Sequence, residues 1–244
     1  MRSPYGFDII ESCKSCKLRN DRMFCNLPDA AIERMESIKA TAAYPKGALL
    51  CLEGQPARGI FILCHGHAKI STSSPDGKTI ILRIAGPGEV LGLSAILSGK
   101  PHDFTVETME PTQANFIGRA DFLKFLTEHP SIGTKVANQL THNCHCAYEE
   151  IRSLGLSRSV PEKMARLLLQ WSQNSAVARK SKEGKLQLKV TLTQEEIAQM
   201  IGSSRETVSR VLSEFKKERI LQIKGSDWII LNKSSLERQA QAVC

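Results

Sequence analysis

Three cysteines lie close together near the start of the chain, in the segment SCKSCKLRNDRMFCNL. They are Cys13, Cys16 and Cys25, and lysine and arginine residues stand between them. Thiolates bind both zinc and iron–sulfur clusters, and the basic side chains would offset the negative charge of a bound cluster. Reversible thiol chemistry and no function at all are the other interpretations, and the spacing alone does not decide among them.

The composition of the chain is that of a globular protein. Its 244 residues are 41% hydrophobic and 24% charged, which suits one large domain or two ordinary ones. The sequence has no apolar run of signal-peptide length at its start and none long enough for a membrane span. We therefore expect a cytoplasmic protein that does not associate with a membrane, and in that compartment stable disulfides are unfavourable.

The positive charge is concentrated in the last third of the chain. The formal net charge is +8, from 33 Lys and Arg against 25 Asp and Glu. Residues 157–244 hold 16 of these basic and 9 of these acidic residues, a net charge of +7, which leaves 17 against 16 for residues 1–156. This asymmetry is typical of a nucleic-acid-binding module, although a solvated surface can give the same pattern.

Residues 44–118 have the pattern of a β-sheet domain. Short apolar runs are separated by Gly, Pro or the sequence SSPDGK. That sequence predicts a hairpin turn, because Asp76 tolerates a left-handed conformation and Gly77 supplies a positive φ. Many short strands at this spacing indicate an antiparallel sandwich or jelly roll.

Helical spacing begins after Gly118. The segment ADFLKFLTEHP predicts a helix that ends before Pro130, and SIGTKVANQLTHNCHCAYEEIRSLGL predicts a long one. A stripe of residues three or four apart runs along the long helix: Ile132, Val136, Leu140, Cys144, Ala147, Ile151 and Leu154. The stripe can pack on the chain's own sheet domain or form a dimer seam, and its length favours the dimer.

The segment TLTQEEIAQMIGSSRETVSRVLSEFKKERIL has the pattern of two helices joined by a turn. Thr193 and Glu196 form a capping box before the first helix, Gly202 interrupts, and Ser203 or Ser204 can cap the second helix. One face of the second helix is apolar, made of Val208, Val211, Leu212 and Phe215. With the hairpin predicted for ILQIKGSDWIIL, this pattern indicates a winged helix-turn-helix.

Another face of the second helix carries side chains that can read bases: Arg205, Glu206, Ser209 and Arg210. Arginine can form bidentate hydrogen bonds with guanine, glutamate can accept from the cytosine amino group, and serine can serve several bases. Glu206 could instead join a second capping box with Ser203, and the arginines could simply be solvated. The separation of the two faces and the basic charge favour binding to double-stranded DNA.

These features resemble the CRP/FNR family of bacterial transcription regulators. The resemblance covers the whole chain and rests on SSRETVSRVLSEFKKERIL, the long helix and a framework of glycines: Gly47, Gly54, Gly66, Gly77, Gly88 and Gly92. It implies an α+β fold with an N-terminal cyclic-nucleotide-binding-type β-roll (a jelly roll), a long dimerisation helix and a C-terminal winged helix-turn-helix. The implied divisions are a cysteine-containing segment at 1–28, the sensory β-roll at 29–129, the dimerisation helix at 130–156 and the DNA-binding domain at 157–244.

The resemblance also implies partners and base-reading roles. Family members are usually homodimers that bind a DNA palindrome and contact RNA polymerase. Arg205, Glu206 and Arg210 match the family's RExxxR pattern, and Ser209 matches the serine that FNR-like members add. The reading face is therefore similar to a hybrid of the two best-known subgroups.

The phosphate-binding cassette of the family's cyclic-nucleotide binders is incomplete in GEVLGLSAILSGKPHDFTVE. Gly88 and Glu89 match its start, but His102 and Asp103 stand near the place of its Arg-Ser or Arg-Thr pair. A cyclic phosphate needs a fixed cation, whereas aspartate repels it and histidine is mostly neutral at pH 7. We therefore expect that cyclic AMP is not the signal.

The chain resembles instead the FNR-like branch, whose oxygen sensors bind a [4Fe–4S] cluster through N-terminal cysteines and one cysteine of the roll. This resemblance implies that Cys13, Cys16 and Cys25 are cluster ligands. Asn115 stands where the family's fourth cysteine would align, so Cys64 is the candidate fourth ligand by region. A small buried hydrophobe is an equally good interpretation of Cys64, and zinc or no metal is the alternative to the cluster.

Two further possibilities are less well supported. Cys144, His145 and Cys146 resemble a metal-binding cluster, but successive helical residues diverge by about 100°, so all three cannot easily face one ion.

The sequence contains no Gly-x-Ser-x-Gly, P-loop, dinucleotide fingerprint or His-Glu-x-x-His motif. We expect a redox- or oxygen-responsive DNA-binding regulator rather than an enzyme. The alternative is a regulator of the same fold that responds to a small-molecule effector in the roll.

Overall fold

The computed structural model describes residues 2–17, 19–22, 24–157, 159–173, 178–180 and 186–241. They form two compact units, Met1–Ala147 and Tyr148–Cys244. The helices are α1 (Asp29–Ile38), α2 (Leu93–Ser98), α3 (Arg119–Glu128), α4 (Ser131–Leu156), α5 (Val160–Gln173), α6 (Gln194–Ile201), α7 (Arg205–Lys217) and α8 (Lys233–Gln241). The strands are β1 (Lys39–Tyr44), β2 (Leu49–Cys51), β3 (Gly59–His65), β4 (Ala68–Ser73), β5 (Thr79–Ala85), β6 (Val90–Leu91), β7 (Thr105–Thr108), β8 (Thr112–Gly118), β9 (Ala178–Lys180), β10 (Leu186–Lys189), β11 (Leu221–Lys224) and β12 (Asp227–Ile230).

The first unit contains the predicted β-roll. One antiparallel sheet has the strand order β1-β8-β3-β6 and the other has the order β2-β7-β4-β5. Ser73 lies opposite Thr79 across the hairpin of β4 and β5, and Gly77 in its turn has a φ of +85°. The jelly roll and its SSPDGK hairpin are therefore confirmed.

The two faces of β3 contribute to two different apolar cores. Leu63 is fully buried with residues of both sheets, such as Leu50 and Val106. Ile60 and Ile62 are buried instead with side chains of α1, α3 and the start of α4. Cys64 lies between Leu63 and His65, where the pairing of β3 with β8 shifts register.

The long helix α4 is confirmed, but its apolar stripe is divided. Ile132 and Val136 are buried in the core of the roll unit, and Leu140 packs against that core. The prediction of one continuous seam is therefore wrong for the first part of the helix, since these side chains stabilise the chain's own roll. Cys144 is exposed and Ile151 is 65% exposed, while the side chain of Leu154 lies outside the described residues.

The second unit is a winged helix-turn-helix built on a mixed helical and sheet core. Strands β11 and β12 form the predicted hairpin, which β10 and β9 extend into a sheet of order β11-β12-β10-β9. Before β10, Ala178–Lys180 forms strand β9, which pairs with Leu186–Leu188 of β10. The C-terminal helix α8 packs against α5, with Leu236 fully buried.

Among the helices of the described residues, none has both the length and the apolar character that crossing a membrane requires.

Candidate metal centre and nucleic-acid interface

The first helix of the helix-turn-helix begins with the predicted capping box. Thr193 Oγ1 accepts a hydrogen bond from the backbone N–H of Glu196 at 3.2 Å. In return, the backbone N–H of Thr193 donates to Glu196 Oε2 at 2.9 Å. The helix ends at Gly202, whose φ of +61° is in the left-handed region. These two signals fix where α6 begins and ends, and therefore where the chain turns toward α7.

The second helix is capped by Ser204. Its hydroxyl oxygen accepts from the backbone N–H of Thr207 at 3.3 Å. The alternative of a capping box between Ser203 and Glu206 is therefore wrong. The pKa of Glu206 is lowered by a hydrogen bond from its own backbone N–H and by one from the Ser204 hydroxyl. Both favour the carboxylate, the form that accepts a hydrogen bond from a base.

The two faces of α7 are separated as the sequence predicts. Its apolar side chains are all buried: Val208, Val211, Leu212 and Phe215. The four predicted base-reading residues are all exposed: Arg205, Glu206, Ser209 and Arg210. The helix therefore presents two cations, an anion and a hydroxyl to solvent, in the arrangement that a recognition helix needs in a major groove.

The cassette glutamate of the roll is engaged by the protein itself. Glu89 pairs with Arg83 of β5, and its other carboxylate oxygen accepts from the backbone N–H of Gly86 at 2.9 Å. Arg83 also donates to Asn143 Oδ1 of α4 at 2.9 Å. The Glu89 carboxylate is therefore satisfied by internal partners, and Arg83 connects the roll to the long helix.

His102 and Asp103 stand near the end of the cassette segment. Burial lowers the pKa of His102, against the smaller opposing effect of the Asp103 charge. The imidazole is therefore neutral at pH 7. The Asp103 carboxylate accepts a long hydrogen bond of 3.4 Å from the Ser94 hydroxyl.

All four predicted ligand cysteines line one cavity in the roll unit. Cys13, Cys16 and Cys25 reach it from the N-terminal segment, and Cys64 reaches it from β3. The cavity has a volume of about 30 Å³. The structure therefore brings together three neighbouring residues and a fourth that lies 39 positions beyond Cys25 in the sequence.

Strands β3 and β8 both contribute residues to the cavity. Ile62 lies opposite Asn115 in the register of these strands, and both residues line the cavity with Cys64. The family's fourth cysteine would align with Asn115. In this chain the thiol of Cys64 lies on the adjacent strand, β3.

Hydrogen bonds hold the cysteine-bearing segment against the roll. The side-chain amide of Gln113 is fully buried; its oxygen accepts from the N–H of Ile10 at 2.8 Å and its nitrogen donates to the C=O of Ile10 at 2.7 Å. On the far side of the cavity, Arg22 donates to the C=O of Pro87. Cys13 and Cys16 lie on turns closed by backbone hydrogen bonds, from Cys16 N–H to Cys13 C=O and from Arg19 N–H to Cys16 C=O, and Cys25 also lies on a turn.

Two of the four basic residues near the cysteines line the cavity. These are Arg19 and Arg22, whereas Lys14 pairs with Glu33 at 2.5 Å and Lys17 is exposed. Arg19 Nη2 donates to the C=O of Leu27 at 2.7 Å. Its Nε is buried and finds no acceptor within the described part of the chain. Of these four basic residues, the two arginines are therefore the ones at the cavity.

Two of the thiols are strongly disfavoured as anions. Burial raises the pKa of Cys25 to about 12, with further contributions from the charges of Cys13 and Cys16. Burial also raises the pKa of Cys64 to about 12, and the neighbouring cysteines add to the effect. Thiolates crowded in one buried space repel each other, so a cationic group that binds them all removes this repulsion.

The sulfur of Cys13 differs from the others because two nitrogen donors approach it. Lys39 Nζ lies 3.3 Å from Cys13 Sγ, and Asn115 Nδ2 lies 3.6 Å from it. Neither donor was identified as such from the sequence. They are separated from Cys13 by 26 and 102 positions respectively, so no local spacing could have indicated them.

In the described ranges, no group of three or more His, Cys, Asp or Glu side chains is arranged to hold a single metal ion. This finding applies equally to Cys144, His145 and Cys146. Cys144 is exposed, and the Cys146 sulfur lies 3.6 Å from His142 Nε2 one helical turn away, as the divergence of adjacent helical residues requires.

Comparison with known protein families finds one matching domain in each of the two units. Residues 41–129 match the model of the cyclic nucleotide-binding domain family, and residues 162–239 match that of the Crp-like helix-turn-helix domain. The structure is similar to that of FixK2 from Bradyrhizobium japonicum, with a TM-score of 0.73 and 22% identity, covering 85% of this chain and 100% of that one.

Two curated relatives extend the similarity over most of the chain. One is the CRP-like cAMP-activated global transcriptional regulator of Mycobacterium tuberculosis, 27% identical over 219 residues, which are 90% of this chain and 96% of the relative. The other is the transcriptional regulator LdrP of Thermus thermophilus, 30% identical over 192 residues, 78% of this chain and 91% of the relative. With both domains, the fold and these relatives in agreement, the chain belongs to the CRP/FNR family of DNA-binding transcriptional regulators.

Proposed function

We propose that the protein is a redox- or oxygen-responsive transcription regulator that senses its signal through a [4Fe–4S] cluster bound by Cys13, Cys16, Cys25 and Cys64. The observation that carries the proposal is the shared cavity, which all four thiols line. Four cysteine thiolates are the usual ligand set of such a cluster. When bound, the cluster supplies an oxygen-labile link between the N-terminal segment and the roll.

The surroundings of the cavity suit a group with negative charge. A [4Fe–4S] cluster with four thiolates is anionic, and Arg19 and Arg22 line the space in which it would be bound. The buried Nε of Arg19 has no acceptor among the described residues. Since an unsatisfied buried donor is costly, a sulfur-rich anion at this place would remove a penalty that the protein otherwise carries.

Zinc and a [4Fe–4S] cluster both bind to four thiolates, so zinc is the alternative group for the same cavity. Metal analysis distinguishes the two, because only the cluster brings iron and sulfide.

The output of the proposed sensor is binding to a palindromic DNA site by a homodimer. In this proposal Arg205, Glu206, Ser209 and Arg210 contact the bases, and the exposed end of α4 forms the dimer seam. The protein would act in the cytoplasm, contact RNA polymerase and catalyse no reaction. The exposed reading face of α7 supports the DNA contacts, and the exposed Ile151 supports the seam.

A second candidate is regulation by a small effector in the roll, since residues 41–129 match a cyclic nucleotide-binding domain. The internal pairing of Glu89 with Arg83 argues against a cyclic nucleotide as that effector. In this case the cysteines would be structural or incidental.

Purification without oxygen, followed by an absorbance spectrum and iron, sulfide and zinc analysis, tests the proposal. We expect a brown protein with about four irons and four sulfides per chain, whose visible absorbance bleaches in air. Zinc in place of iron would make the site structural. A colourless, metal-free protein that binds DNA tightly would overturn the cluster and favour an effector in the roll.

A matched pair of cysteine variants tests the fourth ligand. Cys64→Ser should prevent cluster assembly, because it removes a thiolate from the cavity. Cys51→Ser makes the same change at a cysteine of β2 that is buried between the two sheets and does not line the cavity, so it should keep the wild-type iron content. Equal iron content in the two variants would exclude Cys64 as a ligand.

A further inference from the structure

We infer that Lys39 and Asn115 are positioning residues that hold the Cys13 sulfur as an anionic ligand and set the reduction potential and oxygen stability of the bound cluster. This inference rests on the proposed function and adds to it. Of the four cavity cysteines, Cys13 is the one whose sulfur is approached by two side-chain N–H donors in the described structure.

The orientation of Asn115 is fixed by its neighbour on β1. Thr41 lies directly opposite Asn115 in the register of β1 and β8, and its hydroxyl donates to Asn115 Oδ1 at 2.7 Å. Because the amide oxygen accepts this hydrogen bond, the amide nitrogen must point the other way, toward Cys13 Sγ at 3.6 Å. Asn115 is only 1% exposed, so water does not compete for its N–H.

Lys39 is held in place by a second hydrogen bond. Its ammonium group donates to the C=O of Glu11 at 2.8 Å while it lies 3.3 Å from Cys13 Sγ. Glu11 is two residues before Cys13, so one lysine secures both the backbone and the sulfur of the same turn. A cation in this position stabilises negative charge on the sulfur.

The position of Asn115 explains the role that we infer for Asn115 and Lys39. A cysteine in that place would itself be a ligand by family resemblance, but Cys64 of the adjacent strand supplies the fourth thiol here. Asn115 is thus left to act on a ligand through an N–H···S hydrogen bond. Hydrogen bonds and charges at cluster sulfurs set reduction potentials, and residues that orient metal ligands commonly change metal affinity or activity by about 10–100-fold when removed.

Two substitutions remove the donors in different ways. Lys39→Met keeps the length of a half-buried side chain and removes its charge. Asn115→Asp keeps the oxygen that accepts from Thr41, but replaces the N–H donor with a negative oxygen. Both changes make the surroundings of Cys13 more negative. The bound cluster should therefore have a lower reduction potential and lose its visible absorbance in air about tenfold faster.

The chain offers two controls. Lys14→Met removes the same charge from the residue next to Cys13, but the Lys14 ammonium pairs with Glu33 at 2.5 Å and not with the sulfur, so this variant should behave as wild type. Lys39→Arg keeps a cation and N–H donors and should restore most of the wild-type potential. A loss of folding alone would not lower the potential of a loaded cluster, so this readout separates positioning from stability.

The experiment is a redox titration and an air-exposure time course on anaerobically purified full-length protein, wild type and the four variants. Lower potentials and faster bleaching in Lys39→Met and Asn115→Asp, with Lys14→Met unchanged, would support the inference. Wild-type potentials and lifetimes in both test variants would overturn it while the cluster proposal stands. If Asn115→Asp does not fold, Lys39→Met decides. A wild-type protein without iron would overturn both proposals.

Discussion

Arg210 and Glu206 are exposed on the face of α7 that lies opposite its buried side chains, and we expect each to contribute base-specific contacts. Replacement of either with Ala should cost about 1–3 kcal/mol of binding free energy at the cognate site. The loss should be smaller on unrelated DNA, because phosphate contacts and not base contacts dominate there. Fluorescence anisotropy with an operator selected from a random library, beside a scrambled duplex, measures both affinities.

Lys217 provides the control for these variants. It lies in the last turn of the same helix and is exposed, but it is far from the N-terminal end that reads bases in a major groove. Lys217→Ala should therefore weaken binding to both duplexes by similar factors, if it weakens binding at all. If Arg210→Ala and Glu206→Ala also reduced both affinities equally, neither residue would be a base reader.

For single residues, the sequence predicts those roles that depend on interactions between near neighbours in the chain. Thr193 and Glu196 are three positions apart and form their capping box whatever the rest of the fold does. Lys39 and Asn115 could not be identified in this way. Their contacts with Cys13 depend on the pairing of β1 with β8 and on the packing of the cysteine-bearing segment against the roll. Both involve residues far apart in the sequence, so no short stretch of sequence indicates them.

Among the elements, α4 has two different environments along its length. The side chains of Ile132 and Val136 are buried in the roll unit, whereas Tyr148 and Ile151 are 64% and 65% exposed. The periodicity of the stripe is the same in both parts, which is why the sequence predicted one seam. The difference arises because the roll unit packs against only the first turns of α4. How far along the helix this packing extends depends on the positions of α1 and α3.

We expect the exposed second part of α4 to form the dimer seam, so that Ile151→Lys disrupts the homodimer. A lysine at the centre of an apolar helix interface leaves a charge that the interface must desolvate. Sedimentation velocity should show a species of 27.0 kDa in place of one of twice that mass.

Glu149→Lys is the matched control because it introduces the same residue on the same helix, two positions away and off the stripe. It breaks an exposed 3.0 Å pair with Arg152, which contributes little to stability. This variant should remain a dimer. If Ile151→Lys were also a dimer at low micromolar concentration, the seam would lie elsewhere.

For the whole molecule, the proposed function requires the cluster and the DNA to be coupled through the protein. The four thiols lie in one compact unit and the reading face of α7 in the other. Coupling between separate sites is a free-energy difference between two states of the protein, commonly 1–3 kcal/mol. It must therefore appear as a difference in DNA affinity between the cluster-loaded and cluster-free protein.

We expect the anaerobic, cluster-loaded protein to bind its selected operator about 5–150-fold more tightly than the same sample after exposure to air. The measurement is anisotropy of the labelled operator at constant ionic strength, since salt alone changes DNA affinity. Cys64→Ser should show one weak affinity under both conditions, whereas Cys51→Ser should respond as wild type. An air-exposed protein that keeps its anaerobic affinity would separate the cluster from DNA binding, because a bound group with no preference between two states cannot shift their equilibrium.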